Sequence, residues 1–596
     1  MPKVPANLHI GNTTFRIPWR IPEGLRVLDK FNKNYDFKNN PETEKYESEL
    51  IKAISETKVL ESDGKSSDWK GAHGRKFLNF CQKFGFVSFR PNTKRGEKKF
   101  ELTNEGNDKF LDSFLDNEGK YLKMERKPFS LTPLGQLLKS TESLEYEINS
   151  EQKDIFLKSL YYQLQPSILN PFPKDYKGEI IRPLQLWIRI ILELKRKSLE
   201  PLLTQGEMAV IVNTYRTNDI EPIITEIHTY RSKKKGKERK FAKAWYEKKG
   251  GEEKFETVWT YADPNFAYAE STGLFNRVGR KIIFNKDKLD IIYIISKEKL
   301  LNYSDEKKYL ANFWSGQLLP FENFEFIKEQ ATKNYSFLKD KLKYEIPKVK
   351  EMINSSTEVK SISYKIEDKI LELKEIEFFK EQRHKTEEIV KTLSNIETDQ
   401  ISYNGFDFEP EPEHLEWIVW RAFLAINSFK NEIKNSRGFK VDNNFLPTHH
   451  AGGGKEDLIF EFNDFVLLVE VTYKTGHVQF EDETGQVYRH TINVMKKFKE
   501  KEVYCLFLAP KINTNLVKGF MDYFMDNENV EFHGKIIPME INKFTKIFDK
   551  LFHKKKELTP KMIKEILNEC LHKKEELKPL FWMEQINKVI QRRVSN

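Results

Sequence analysis

The clearest pattern of apolar positions lies in two runs between residues 457 and 472. Asp457-Leu-Ile-Phe-Glu-Phe462 and Phe465-Val-Leu-Leu-Val-Glu-Val-Thr472 have the length and the β-branched and aromatic content of strands. Asn463-Asp464 separates them. Both residues tolerate the left-handed backbone of a two-residue hairpin loop. With that loop, Phe462 faces Phe465 and, five steps out, Asp457 faces Glu470. Directly opposed residues share a face, with Cβ atoms about 4.5–5.5 Å apart. Two carboxylates so placed repel. That is poor for stability and suitable as a cradle for a hard divalent cation with oxygen ligands.

The same patterning predicts what surrounds the hairpin. Gly405-Phe-Asp-Phe-Glu-Pro-Glu-Pro412 marks a boundary, and His414–Phe429 follows as a helix. A helix over Val487–Lys501 leads to the apolar strand Val503–Ala509. Strand, helix, strand is a right-handed crossover and gives a parallel neighbour. Helices from Lys511 onward, including Pro560–Leu571, complete an α/β domain.

Earlier in the chain, Trp69–Phe84 has helical spacing and stops at Gly85. A strand at Phe86–Phe89, a basic turn, a return strand at Phe100–Thr103 and a helix at Asn107–Leu115 give the element order of a winged helix. A second such unit reads as a helix at Leu184–Leu194, a capped helix opening at Thr204 with Glu207 closing a capping box, a helix at Ile220–Tyr230, and a wing strand at Gly279–Phe284. From Lys288 to Ser402 the pattern is amphipathic and helical, with Ile366, Ile370 and Leu373 on apolar faces. The expected fold is multidomain α+β. It has winged-helix-type units over 1–165 and 166–290, a helical linker over 291–404, and an α/β domain over 405–596.

Composition narrows the partners. The chain has 596 residues, enough for three or four domains. Its 100 Lys+Arg against 90 Asp+Glu leave a net charge of +10, so a polyanion-binding surface must come from clustering. One cluster is Arg75, Lys76, Lys94, Arg95, Lys98 and Lys99. A second runs from Arg231 to Lys254, with 11 Lys/Arg against 4 Asp/Glu, and includes Lys234, Lys235 and Arg239. Both suit DNA phosphates, and both are also what solvated charged loops look like. Three scattered cysteines form neither a disulfide framework nor a zinc set, which fits a reducing cytoplasm. The N-terminus lacks an apolar signal core, no run of 18 apolar residues occurs, and no GxxxxGK[ST] loop is present. Membrane and nucleotide-driven roles are thereby disfavoured.

An Asp at one strand's start and an acid late in the next is the arrangement of the PD-(D/E)XK nuclease core. Here Glu456 stands where that motif has Pro, and Thr472 where it has Lys. Glu416 interrupts an apolar helix, Glu483 and His490 follow the second strand, and His449-His450 precede three glycines. Each has a plain alternative: a surface helix glutamate, an acidic loop beside Glu481 and Asp482, turn histidines. Lys474 is a candidate for the missing Lys.

These residues carry a resemblance. Glu416-Trp417, His450-Ala451, Asp457, Glu470-Val471-Thr472, Gln479-Phe480, Glu483, Arg489-His490 and the Tyr504–Pro510 strand with Asn513 look like the C-terminal domain of AlwI-type restriction endonucleases. These are a type IIS group that includes nicking enzymes. Tyr268 and Thr272–Phe275 extend the likeness into the first half. Thr472 also fits that family, which lacks the lysine, whereas Gly452–Glu456 departs from it. The resemblance implies metal-binding or catalytic roles for Glu416, Asp457, Glu470 and Glu483, the Val471 carbonyl as a metal ligand, and a supporting role for His490. It also implies Mg²⁺ or Mn²⁺ as cofactor, double-stranded DNA as substrate, and a prokaryotic cytoplasmic setting. A second nuclease centre would come from a transient homodimer or from a smaller subunit, unless the enzyme only nicks. The competing reading from another class is a non-catalytic DNA-binding regulator, against which the full carboxylate set argues.

Overall fold

In the computed structural model the described residues are 18–36, 39, 43–55, 72–88, 129–142, 147–164, 179–215, 217–251, 254–299, 306–396, 401–403, 406–408, 411–426, 428–452, 454–522, 534–555, 558–572 and 574–595. The protein is a predominantly helical α+β chain with several small sheets. It divides into two compact units, Met1–Ile370 and Leu371–Asn596. Among the described residues no helix is long and apolar enough to cross a membrane.

In the first unit, helices Ala72–Lys83 and Pro183–Arg196 stand where apolar spacing places them. Gly85, at φ 70°, ends the former by entering the left-handed region. The expected return strand at Phe100–Thr103 and the helix at Asn107–Leu115 lie outside the described residues, and Val87 makes an isolated antiparallel bridge to Leu131. Strand β1 (Leu202–Thr204) leads into the capped turn. The Thr204 side chain accepts from the Glu207 N–H, and the Glu207 side chain accepts from the Thr204 N–H. Strands β2 (Phe275–Val278) and β3 (Lys281–Phe284) form a hairpin around Gly279-Arg280, and β3 pairs antiparallel with β1, giving the order β1-β3-β2. Helices Glu221–Lys233, Glu238–Lys248 and Phe255–Ser271 lie between β1 and β2 in the chain. Ile292, Ile295, Tyr309, Phe313 and Trp314, from the stretch whose pattern reads as a linker, join the same buried core as Phe84 and Leu134.

After the Thr386–Ser394 helix, the second unit carries the small antiparallel pairs β4 (Ile401–Tyr403) with β5 (Phe406–Phe408), and β6 (Lys440–Val441) with β7 (Pro447–His449). Its main sheet contains β8 (Leu458–Glu461), β9 (Phe465–Val471), β10 (Glu502–Ala509) and β11 (Ile536–Glu540), in the order β11-β10-β9-β8. The hairpin has the register expected from its two-residue turn: Leu458 pairs with Val469 and Glu461 with Val466. The Phe462 N–H donates to the Phe465 carbonyl at 2.9 Å. β10 runs parallel to β9, as a crossover helix requires. All seven residues of β9 are buried, the usual state of a strand covered on both faces.

Two expectations need correction here. The crossover helix is Gly476–Lys497, not Val487–Lys501, so Glu481-Asp482-Glu483 is helical rather than a loop. A further parallel strand, β11, lies beyond β10, where only helices were expected.

Candidate active site

Glu470 is the one acid in an otherwise apolar central strand. An ionised carboxylate there costs several kcal/mol unless it is paired, hydrogen-bonded or protonated. Its neighbours follow from the register. Asp457 immediately precedes β8, and its Oδ2 accepts the Val471 N–H at 2.8 Å. The Asp457 N–H points back to Glu470 Oε1 at 3.4 Å. Glu416 lies on the Pro412–Ile426 helix, where its Oε2 accepts the Ala451 N–H at 2.9 Å. Glu483 and His490 are seven residues apart on the crossover helix and therefore share a face. His490 Nδ1 lies 2.9 and 3.0 Å from the two Glu470 oxygens. Thr472 donates to Glu483 Oε1 at 3.2 Å, and Lys474 Nζ lies 3.0 Å from the same oxygen and 3.0 Å from Asp482.

The four carboxylates are almost wholly withdrawn from water: Glu416 is 4% exposed, Asp457 8%, Glu470 2% and Glu483 8%. Burial pushes the Glu416, Asp457 and Glu470 carboxyls well above the usual carboxylate range. The Asp457 charge pushes Glu416 further, and the Glu470 charge pushes Asp457 further. Burial also lowers His490, against the opposing pull of Glu456 and Asp457. A neutral imidazole donating from Nδ1 to Glu470 leaves Nε2 as an acceptor. Among the described residues that buried nitrogen has no hydrogen-bond partner.

The scaffold behind these groups is tightly pinned. Trp417 Nε1 donates to the Phe445 carbonyl and Trp420 Nε1 to Ser436 Oγ, each at 2.8 Å. Arg421, fully buried on the same helix, donates through Nε to Gln382 at 2.7 Å, pairs with Glu388 at 2.7 Å, and lies over the Trp417 ring. Gln479 clamps the start of the crossover helix. Its Nε2 donates to the carbonyls of Lys474 and Lys511, and its Oε1 accepts from the Asn513 N–H. None of these supports is visible as periodicity, because each is a single polar side chain meeting a residue distant in sequence.

The acids provide an all-oxygen donor set of the kind Mg²⁺ and Mn²⁺ accept. Crowded buried carboxylates with raised proton affinity are chemically fitted to a cation. Each is held by its own hydrogen bond, however, and among the described residues no group of three or more His, Cys, Asp or Glu side chains is gathered to hold a metal ion. His449 ends β7, with His450 next to it.

The basic candidates fall differently. Arg75 and Lys76 are on the Ala72–Lys83 helix, with Lys76 half-buried, while Lys94, Arg95 and Lys98 lie outside the described residues. Lys234, Lys235 and Arg239 are exposed. Arg239 pairs with Glu256, the second residue of the Phe255–Ser271 helix, and Lys234 lies 3.8 Å from Glu238. The sequence patterning did not mark the Glu238–Lys248 helix that carries Arg239.

Comparison with known proteins fixes the class. The family model for the AlwI restriction endonuclease matches residues 120–547, well over half of the chain. The protein is therefore a restriction endonuclease, a site-specific deoxyribonuclease. More narrowly, it belongs to the AlwI restriction endonuclease family. Among solved structures it is similar to the small subunit (R.BspD6I2) of the heterodimeric restriction endonuclease R.BspD6I, with 25% identity over 35% of this chain and 98% of that chain and a TM-score of 0.28. No curated protein matches it.

Proposed function

We propose that the chain is a type IIS enzyme that hydrolyses DNA phosphodiester bonds at a fixed offset from a short asymmetric site, using the buried acids of the second unit. The observation that carries this reading is the juxtaposition of Asp457 and Glu470 across the hairpin turn, with both carboxyls pushed up by burial. Asp457, Glu470, Glu416 and the Val471 carbonyl are the groups that would hold Mg²⁺ or Mn²⁺. When bound, such a cation would polarise the scissile phosphate and acidify a water. His490 orients Glu470 through Nδ1. Lys474 neutralises Glu483 and is the cation that would face developing charge.

Recognition is assigned to the first unit. The order β1-β3-β2, with a helix directly before the β2–β3 hairpin, supports a winged-helix reading of residues 183–284. Exposed Lys234, Lys235 and Arg239 supply phosphate contacts. The PD-(D/E)XK reading of the second unit is supported by its mixed sheet and by the position of its acids. One such centre cuts one strand, so a double-strand break requires a second centre from another copy or from a smaller partner subunit.

Incubation of a defined plasmid with the chain in Mg²⁺ and in EDTA, followed by run-off sequencing of both strands, tests all of this. The expected result is a metal-dependent cut at one offset from one asymmetric site. Specific DNA binding with no metal-dependent nick or break would establish the regulator reading instead.

A further inference from the structure

Gly438 belongs to none of the motifs above. Its N–H donates to the Asp457 carbonyl at 2.6 Å. The residue before it, Arg437, makes an antiparallel bridge to Leu458. Residues 437–438 thus form a short edge beside β8 at the point where the chain delivers Asp457. There is no room there for a side chain. A Cβ on residue 438 would stand 2.1 Å from the Glu456 carbonyl oxygen and 3.0 Å from the Ala451 Cβ. Ala451 is the residue whose N–H holds the Glu416 carboxylate. One glycine therefore abuts both the peptide that leads into Asp457 and the residue that fixes Glu416.

The edge is also anchored from behind. The buried Arg437 guanidinium donates to Glu375 at 2.9 Å and to the Phe439 carbonyl at 3.3 Å, and it lies over the Trp420 ring. Trp420 is on the Glu416 helix. Resting on the reading of Asp457 and Glu416 as part of the cutting centre, we propose that Gly438 is a positioning residue that sets the spacing between these two carboxylates. The atoms facing it are a backbone carbonyl and a β-carbon, and neither can rotate aside. An added methyl group must move the Glu456-Asp457 peptide or the Ala451 segment. A misplacement of about 1 Å in a catalytic array is enough to cost about 10²-fold in rate.

The test uses the full-length chain as wild type and as Gly438→Ala, Arg437→Lys, Gly485→Ala and Asp457→Ala. The substrate is a plasmid that the wild type cuts. Gly485 is a control, because a Cβ there meets nothing within 4 Å. For Gly438→Ala the expected result is a roughly 100-fold fall in single-turnover cutting, with plasmid affinity unchanged and Mn²⁺ binding, followed by electron paramagnetic resonance, weakened. Gly485→Ala should match wild type in all three. Arg437→Lys adds no volume and decides the matter if Gly438→Ala does not fold; its cutting and Mn²⁺ affinity should fall together by a smaller factor. Wild-type Mn²⁺ affinity in the folded Gly438→Ala variant, or in Arg437→Lys if only that variant folds, would overturn the proposal. Undiminished cutting by Asp457→Ala would instead overturn the reading on which it rests.

Discussion

Asp154 in the first unit and Asp457 in the second both have side chains largely withdrawn from water, and their surroundings treat them in opposite ways. Asp154 lies 2.9 Å from Lys360 and 3.0 Å from Lys158, and it accepts from the Tyr364 hydroxyl at 2.8 Å. Lys360 also pairs with Glu322. Burial pushes Asp154 up, but the two lysines outweigh it and hold the carboxyl at about 2 against an ordinary 3.8. Asp457 has Glu470, Glu416 and Glu483 as its charged company, and burial and repulsion raise it together. Among the described residues neither Asp457 nor Glu470 pairs with a lysine or arginine. The first cluster stores stability. The second costs stability, a cost that the proposed function would account for.

The sharpest way to break the comparison is to remove each aspartate. Asp457→Ala is expected to lower single-turnover cutting by on the order of 10³-fold or more while leaving plasmid binding intact, read by gel cleavage and by electrophoretic mobility shift. Asp154→Asn removes the carboxylate shared by buried Lys158 and half-buried Lys360 and is expected to destabilise the first unit by about 3 kcal/mol, read as a lower urea midpoint.

Asp457→Asn should do the reverse and stabilise the chain by about 1 kcal/mol at pH 8 in EDTA, because it removes a repelled buried charge. The two aspartates also differ in pH dependence. The folded pKa of Asp457 is raised, so its penalty is absent below the ordinary carboxylate range and grows as pH rises toward the folded value. The advantage of Asp457→Asn should therefore shrink on acidification. The folded pKa of Asp154 is depressed, so its contribution is present above 3.8 and is lost as pH falls through about 2. The cost of Asp154→Asn should stay constant from pH 8 down to about 4. Thermal unfolding of both variants across pH checks the two signs. The smallest effect is expected from Gly485→Ala in the interior of the crossover helix, a gain of about 0.5–1 kcal/mol in urea unfolding.

The hairpin was legible in sequence because a two-residue turn leaves only one register, and the register alone places Asp457 against Glu470. The Thr204–Glu207 capping box was legible for a similar reason, since both partners lie within one turn. Features that depend on distant partners were not. The β11 sequence contains Pro538, which argues against a strand; β11 lies at the sheet edge, where a missing N–H is tolerated. The start of the crossover helix carries three successive acids and an inserted glycine, so its apolar stripe is broken where Glu483 is placed. The apolar faces of the 291–404 stretch mark helices but not what they pack on. Glu375 and Gln382, which anchor Arg437 and Arg421 behind the acids, have no local signature. Gly438 is one of 27 glycines, and its place against the Glu456 carbonyl and the Ala451 Cβ is a tertiary contact with no local signature.

On the proposed function, Asp457 and Glu470, which pair with no lysine or arginine among the described residues, are kept for cutting and not for folding. Single-turnover cleavage of one plasmid by wild type and by Asp457→Asn, with the thermal stability of both measured in the same buffer without metal, tests it most directly. The expected variant is at least as stable, binds the plasmid equally, and yields no product with Mg²⁺. A variant that cuts within about tenfold of wild type, a difference of only about 1.4 kcal/mol in the barrier, would contradict it.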